Sequence, residues 1–203
     1  MFWGVGALVL VVVVLVDVPT RHLLEDGTAV ANVPWYVGAV SQVGLVGWAL
    51  AASVALFAAS VLAVIAEERQ FVGFFLAGGL LTVWLMVDDM FRLHEDVLAD
   101  AVNVDERVTQ AMYAAILALW IVTQRHVILR TRPYVFVTAF FWFALSLLLD
   151  ISGDGSGSLG LLLEDGTKLL GILTWAAFFW LTARDRLLNR SKWSPTPEGV
   201  DLA

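Results

Sequence analysis

The chain has 203 residues, 60% of them hydrophobic, a mean hydropathy of +0.82, no cysteine and a formal net charge of −7. Ordinary soluble domains are only about half apolar, so this composition points to an all-α polytopic membrane protein whose first partner is the lipid bilayer. Disulfides, thiolate metal sites and cysteine nucleophiles are excluded, and so is nucleic acid as a partner, since phosphate binding needs a basic surface.

Phe2 to Val16 is an unbroken apolar run, just short of the roughly 17–25 residues of a spanning helix. No basic residue precedes it and no small-x-small cleavage site follows, so it reads as a retained first span and not a signal peptide. Asp17 to Pro34 is a polar connection containing RHLLED (Arg21 to Asp26), interrupted by Pro19, Gly27 and Pro34. Trp35 to Ala66 carries no charge over 32 residues, longer than a bilayer core of roughly 30 Å requires, so it must tilt, kink or begin along the interface. Its Gly44, Gly47, Ala51, Ala55 and Ala58 recur at three- and four-residue spacings that let membrane helices approach closely. The third span ends in DDMFRLHED (Asp88 to Asp96), six ionisable side chains closing an apolar run. A fourth span leads into a basic turn with Arg125, His126, Arg130 and Arg132; a fifth leads into the flexible ISGDGSGS (Ile151 to Ser158). The expected domain is therefore residues 1–183, with six spans at about 2–16, 35–66, 71–90, 108–128, 134–150 and 159–183. Residues 184–203 read as a mostly disordered cytoplasmic tail.

With both termini cytoplasmic, eight basic and five acidic residues lie inside, against four basic and fourteen acidic outside. The positive-inside rule favours that orientation in a cell (inner) membrane. Ten arginines against two lysines, Lys168 and Lys192, together with the acidic balance, fit a GC-rich, salt-adapted prokaryote. The outer face then holds three Glu-Asp pairs, each in a helix hairpin: RHLLED, LHED and LLLED (Leu161 to Asp165). The aspartate that leads each pair stands eight residues before its glutamate in the first (Asp17 to Glu25), seven in the second (Asp88 to Glu95) and fourteen in the third (Asp150 to Glu164). LLEDGT recurs at Leu23 and Leu162, so the hairpins are candidate threefold repeats, of the kind transporters place around their sites.

If the third helix runs on to about Ala99, Asp88 and Glu95 share a face within about 20°, Asp89 and Asp96 form a parallel stripe, and Arg92 sits between them. That arrangement makes either an ion-pair network or a cation site of Asp88, Asp89 and Glu95, whose hard oxygens suit Ca²⁺, Mg²⁺ or Mn²⁺, or protons. Lys168 stands inside an apolar helix one turn after Glu164 and Asp165, where an intrahelical salt bridge to Glu164 is the default. Ionisable groups at that depth otherwise mark an ion path, proton relay or substrate site.

His94-Glu95 lacks the second histidine of an HExxH zinc hydrolase, and His22, His94 and His126 are dispersed. Ser156 in GDGSGS has no later histidine, against a rhomboid-like protease, and the paired-aspartate motif of CDP-alcohol phosphatidyltransferases is absent. Alkaline-ceramidase-like hydrolases are the nearest chemical comparison, but their clustered histidines are missing. Lys168 with acidic neighbours in an aromatic-rich bundle resembles a retinal Schiff-base site, against which stand six spans in place of seven. The leading expectation is an outward-facing acidic vestibule of Asp88, Asp89, Glu95, Asp150, Glu164 and Asp165 that binds a small cation for transport or conduction, with Arg92 and Lys168 positioning the carboxylates. The alternative is a metal-dependent lipid hydrolase or transferase: Asp88, Asp89 and Glu95 hold the metal, His94 is acid or base, and Arg92 or Lys168 holds a phosphate. A third reading is an accessory subunit docking through the small residues of the second span, and a homo-oligomer is compatible with all three.

Overall fold

The computed structural model describes residues 2–16, 18–65, 69–93, 106–152 and 157–190, and every described secondary-structure element is a helix. The chain divides into two compact units, residues 1–39 and 40–203. The first holds α1 (Phe2–Leu15), α2 (Thr20–Leu24) and α3 (Gly27–Val30). At 1.5 Å per residue α1 is about 21 Å long, below the thickness of a bilayer core. Arg21 Nε donates to Glu25 Oε2 at 2.7 Å across one turn of exposed helix, an ion pair of little energetic weight. Asp26 stands at the N-cap position of α3 without a side-chain capping bond. Gly38, at φ +75°, makes the turn before the second unit, a conformation glycine adopts without steric cost.

The second unit contains α4 (Ala39–Ile65), α5 (Arg69–Phe91), α6 (Glu106–Leu129), α7 (Pro133–Ser152) and α8 (Ser158–Arg190). These five helices are long and apolar enough to cross a membrane; α1 is not. Proline opens α7 where its missing N–H costs nothing. A continuous helix from the third span to Ala99 does not form: α5 stops at Phe91, and Arg92 takes φ +50°, outside the right-handed helical region. At the other end α8 continues seven residues past Ala183, into the stretch expected to be tail. Contacts to earlier helices hold that extension: Arg132 Nε donates to Asp185 Oδ2 at 2.8 Å, and the Arg186 guanidinium lies 3.8 Å above the Phe71 ring. Residues 191–203 lie outside the described residues.

Close approach is set by small residues. Ala51, Ala55 and Ala58 of α4 are fully buried, and a methyl group added at Gly47 would stand 2.7 Å from Ile172 Cγ2 of α8. At Gly78 of α5 it would meet Phe179 at 2.7 Å and Trp120 at 3.0 Å. These small residues of α4 are therefore packed within the chain. Against it packs an aromatic layer of Phe71, Phe74, Phe75, Trp120, Phe136, Phe140, Trp175, Phe178 and Phe179. Ring centroids lie 4.6 Å apart for Phe136–Phe140 and 5.6 Å for Trp120–Trp175. In lipid such packing, and not water exclusion, holds helices together. A polar fastener crosses the layer: Trp175 Nε1 donates to Thr82 Oγ1 at 3.0 Å, and that hydroxyl donates to the Gly78 carbonyl at 2.7 Å.

Candidate functional site

The last turn of α5 carries two adjacent carboxylates, Asp88 and Asp89. Neighbouring residues of a helix project about 100° apart, so the two face different helices. Asp88, only 5% exposed, accepts a hydrogen bond at 2.8 Å from the Tyr113 hydroxyl of α6. Asp89 accepts one from Lys168 Nζ of α8 in a half-buried ion pair. Both carboxylates sit where the helix C-terminus adds partial negative charge, which disfavours an anion. The phenol and the ammonium offset that cost from two neighbouring helices.

Lys168 is ten residues into α8, about 15 Å from its start. It divides two cavities. One is a polar cup of about 30 Å³ lined by Val40, Ser41 and Gly44 of α4, Asp89 of α5, and Asp165, Lys168, Leu169 and Ile172 of α8. That is room for about one or two water molecules. A side chain at Gly44 would crowd Ile172 at 3.3 Å, so glycine keeps α4 close to the cup. The cup holds two carboxylates and one ammonium. The other cavity is about 180 Å³ and wholly apolar, lined by Trp48, Leu85, Leu117, Phe140, Phe143, Trp175 and the methylene stem of Lys168. Trp48 stacks on Phe143 with centroids 5.7 Å apart and planes 3° from parallel. The Trp48 indole N–H is buried and meets no acceptor among the described residues.

Of the residues singled out from the sequence, Asp89, Asp165 and Lys168 come together around the cup. Asp88 turns away toward Tyr113. Glu164 faces α7 through its backbone, whose carbonyl accepts from Ser146 Oγ at 3.2 Å. Asp150 is exposed near the end of α7 and does not line the cup. Arg92 lies just past the end of α5, while His94 and Glu95 fall outside the described residues. Among the described residues no three His, Asp or Glu side chains converge as a metal site would require. Lys168 is paired with Asp89, 79 positions away in sequence.

Sequence reasoning missed Tyr113 and Ser41. Both are hydroxyls in the first turns of apolar helices, a signal that does not say what each one faces. At the opposite end, the hydrogen bond from Arg132 to Asp185, and the charge of that carboxylate, hold the guanidinium above its ordinary range. That pair stays charged throughout the working pH range.

Fold and site together define a helical-bundle protein with a charged cross-helix pair set among apolar helices. Residues 3–182 match the family described as a domain of unknown function, DUF8692, and the chain belongs to it. No curated protein and no solved structure matches the chain.

Proposed function

We propose that the protein is a multi-pass inner-membrane cation transporter in which Lys168 acts as a tethered counter-ion that an incoming cation displaces from Asp89. The observation that carries this reading is the Lys168–Asp89 ion pair beside a cup of water size. An ionisable pair among apolar helices is costly to keep and by default marks an ion path or substrate site. A cation entering the cup meets the Asp89 and Asp165 carboxylates and the Ser41 hydroxyl, and competes with the ammonium for Asp89. A proton is the smallest such cation; Ca²⁺, Mg²⁺ and Mn²⁺ are the divalent candidates that hard oxygens favour. Beyond the cup the aromatic layer fills the bundle, which supports alternating access over an open pore. In this topology the C-terminus is cytoplasmic and the cup faces outward.

The test is ion flux in proteoliposomes loaded in parallel with a pH dye and with dyes sensitive to each metal cation, challenged in turn with Na⁺, K⁺, Ca²⁺, Mg²⁺ and Mn²⁺ gradients. Asp89→Asn should lower flux at least tenfold while the helical circular dichroism stays unchanged. Flux no greater than in empty vesicles for the unaltered protein would sink the transport reading, and full flux in Asp89→Asn would remove the pair from the path.

A further inference from the structure

We infer that the groove between α5 and α6 is a site for one anionic phospholipid, with a tail lying along the groove and the phosphate against Arg69 and Arg130. This rests on the membrane placement proposed above and not on transport. The groove lies between residues 77–84 of α5 and 116–123 of α6, holds about 680 Å³ and is almost wholly apolar. Buried Leu81 and Trp120 make its floor, and Leu80 and Leu119, 57% and 64% exposed, make its rim. Its two ends differ. At the acidic end Trp84 meets Tyr113 edge to face, with centroids 6.1 Å apart, and the two rings bridge α5 and α6. Toward the basic end a methyl group added at Gly73 would meet nothing within 4 Å, so the α5 wall stays bare there.

Helical periodicity puts polar groups where the groove emerges. Gln70 stands seven residues before Ala77 and Arg130 seven after Thr123, each about 20° round from the wall it continues. Arg69 and His126 stand beside them, and all four side chains are exposed. In sequence, residues 66–69, 125–132 and 184–190 hold seven arginines against three acids, of which Asp185 is paired with Arg132. The length also fits. Arg130 is fourteen residues from Ile116, about 21 Å along the axis. One leaflet's share of a roughly 30 Å hydrocarbon core is about 15 Å, so a tail anchored at Arg130 ends inside the groove.

Charge selects the occupant. Guanidinium groups match phosphate oxygens with paired N–H donors, and in the proposed orientation this end faces the leaflet whose anionic lipids attract basic residues. An uncharged hydrocarbon would use the groove and leave the arginines idle, and a free phosphate would use the arginines alone. A second copy in the same membrane orientation would bring another basic end alongside, which like charge opposes.

The test uses the full chain, extracted from membranes in mild detergent and measured by native mass spectrometry with phosphatidylglycerol or phosphatidylcholine carrying identical tails. The expected result is one phosphatidylglycerol per chain, bound about tenfold more than phosphatidylcholine at equal concentration. The double variant Arg69→Gln, Arg130→Gln should lose that preference with its helical circular dichroism unchanged. Leu119→Trp fills the groove from its exposed rim and should lower binding of both lipids with the arginines intact. Equal binding of the two lipids by the unaltered protein, displacement of phosphatidylglycerol by glycerol phosphate, a lipid-free dimer, or unchanged binding in either variant would overturn the inference. Recovery of the chain in the soluble fraction without detergent would overturn the membrane placement and the lipid site together. Loss of lipid selectivity in membrane-extracted protein would overturn the site alone, so the two fail separately.

Discussion

Each end of the five-helix unit carries an ion pair between helices, and the surroundings give the two pairs different work. At the basic end Arg132 and Asp185 meet at 2.8 Å with 43% and 39% of their side chains exposed. Water and salt screen such a pair, so it trims the end of α8 without deciding stability. At the acidic end Lys168 meets Asp89, which is only 13% exposed, in a setting with a cavity on each side of the lysine. Lys168 is as exposed as Arg132, so the difference lies in Asp89, which removal of the ammonium leaves charged among apolar helices. A basic side chain and an aspartate make a surface clasp at one end and a more enclosed contact at the other.

The widest break in this comparison would come from the layer that separates the ends. Trp175→Ala removes a fully buried ring, a wall of the apolar cavity and the donor to Thr82, and should cost about 3–5 kcal/mol. Thermal unfolding in detergent should show both ends lost in one transition. A loss confined to one end would mean that the layer does not couple them. A smaller effect tests the acidic pair itself: Asp89→Asn alone should cost about 1–3 kcal/mol, toward the lower figure because Lys168 is partly exposed. Adding Lys168→Met should restore part of that loss, since no charge is then stranded; simple additivity in the cycle would show that the pair is not coupled. The smallest change is expected at the basic end. Asp185→Asn should lower the melting temperature slightly at low salt and not detectably at roughly 1 M salt, where the Debye length is near 3 Å. A large, salt-resistant loss would make the two ends alike.

Apolar run length made the five long helices legible, because nothing but a helix satisfies a backbone in such sequence. Their ends were less legible, since they depend on tertiary contacts. α8 outlasts its apolar run because Asp185 and Arg186 find Arg132 and Phe71, residues more than 50 positions away. α5 stops at Phe91 although Asp88 to Asp96 keeps a helical spacing, and Arg92 is neither glycine nor proline, so no local signal announces the break. Lys168, Asp89 and Asp165 stood out as charges in apolar surroundings. Their grouping did not, because helix packing brings Asp89 to Lys168 from 79 positions away. Tyr113 was hidden for the same reason: a phenol on one helix means little until the carboxylate it faces is known.

The length of α8 has an electrical consequence. Lys168 and Asp185 are seventeen residues apart, about 25 Å along the helix, close to the thickness of a bilayer's hydrocarbon core. In a bilayer the two ion pairs would stand near opposite margins of the insulating slab, with the aromatic layer between. A charge arriving at Asp89 from the near side would cross only a small part of the transmembrane voltage. Nearly all of the work of that field, about 2.3 kcal/mol per unit charge at 100 mV, would be done in passing Trp175, Phe178 and Phe179.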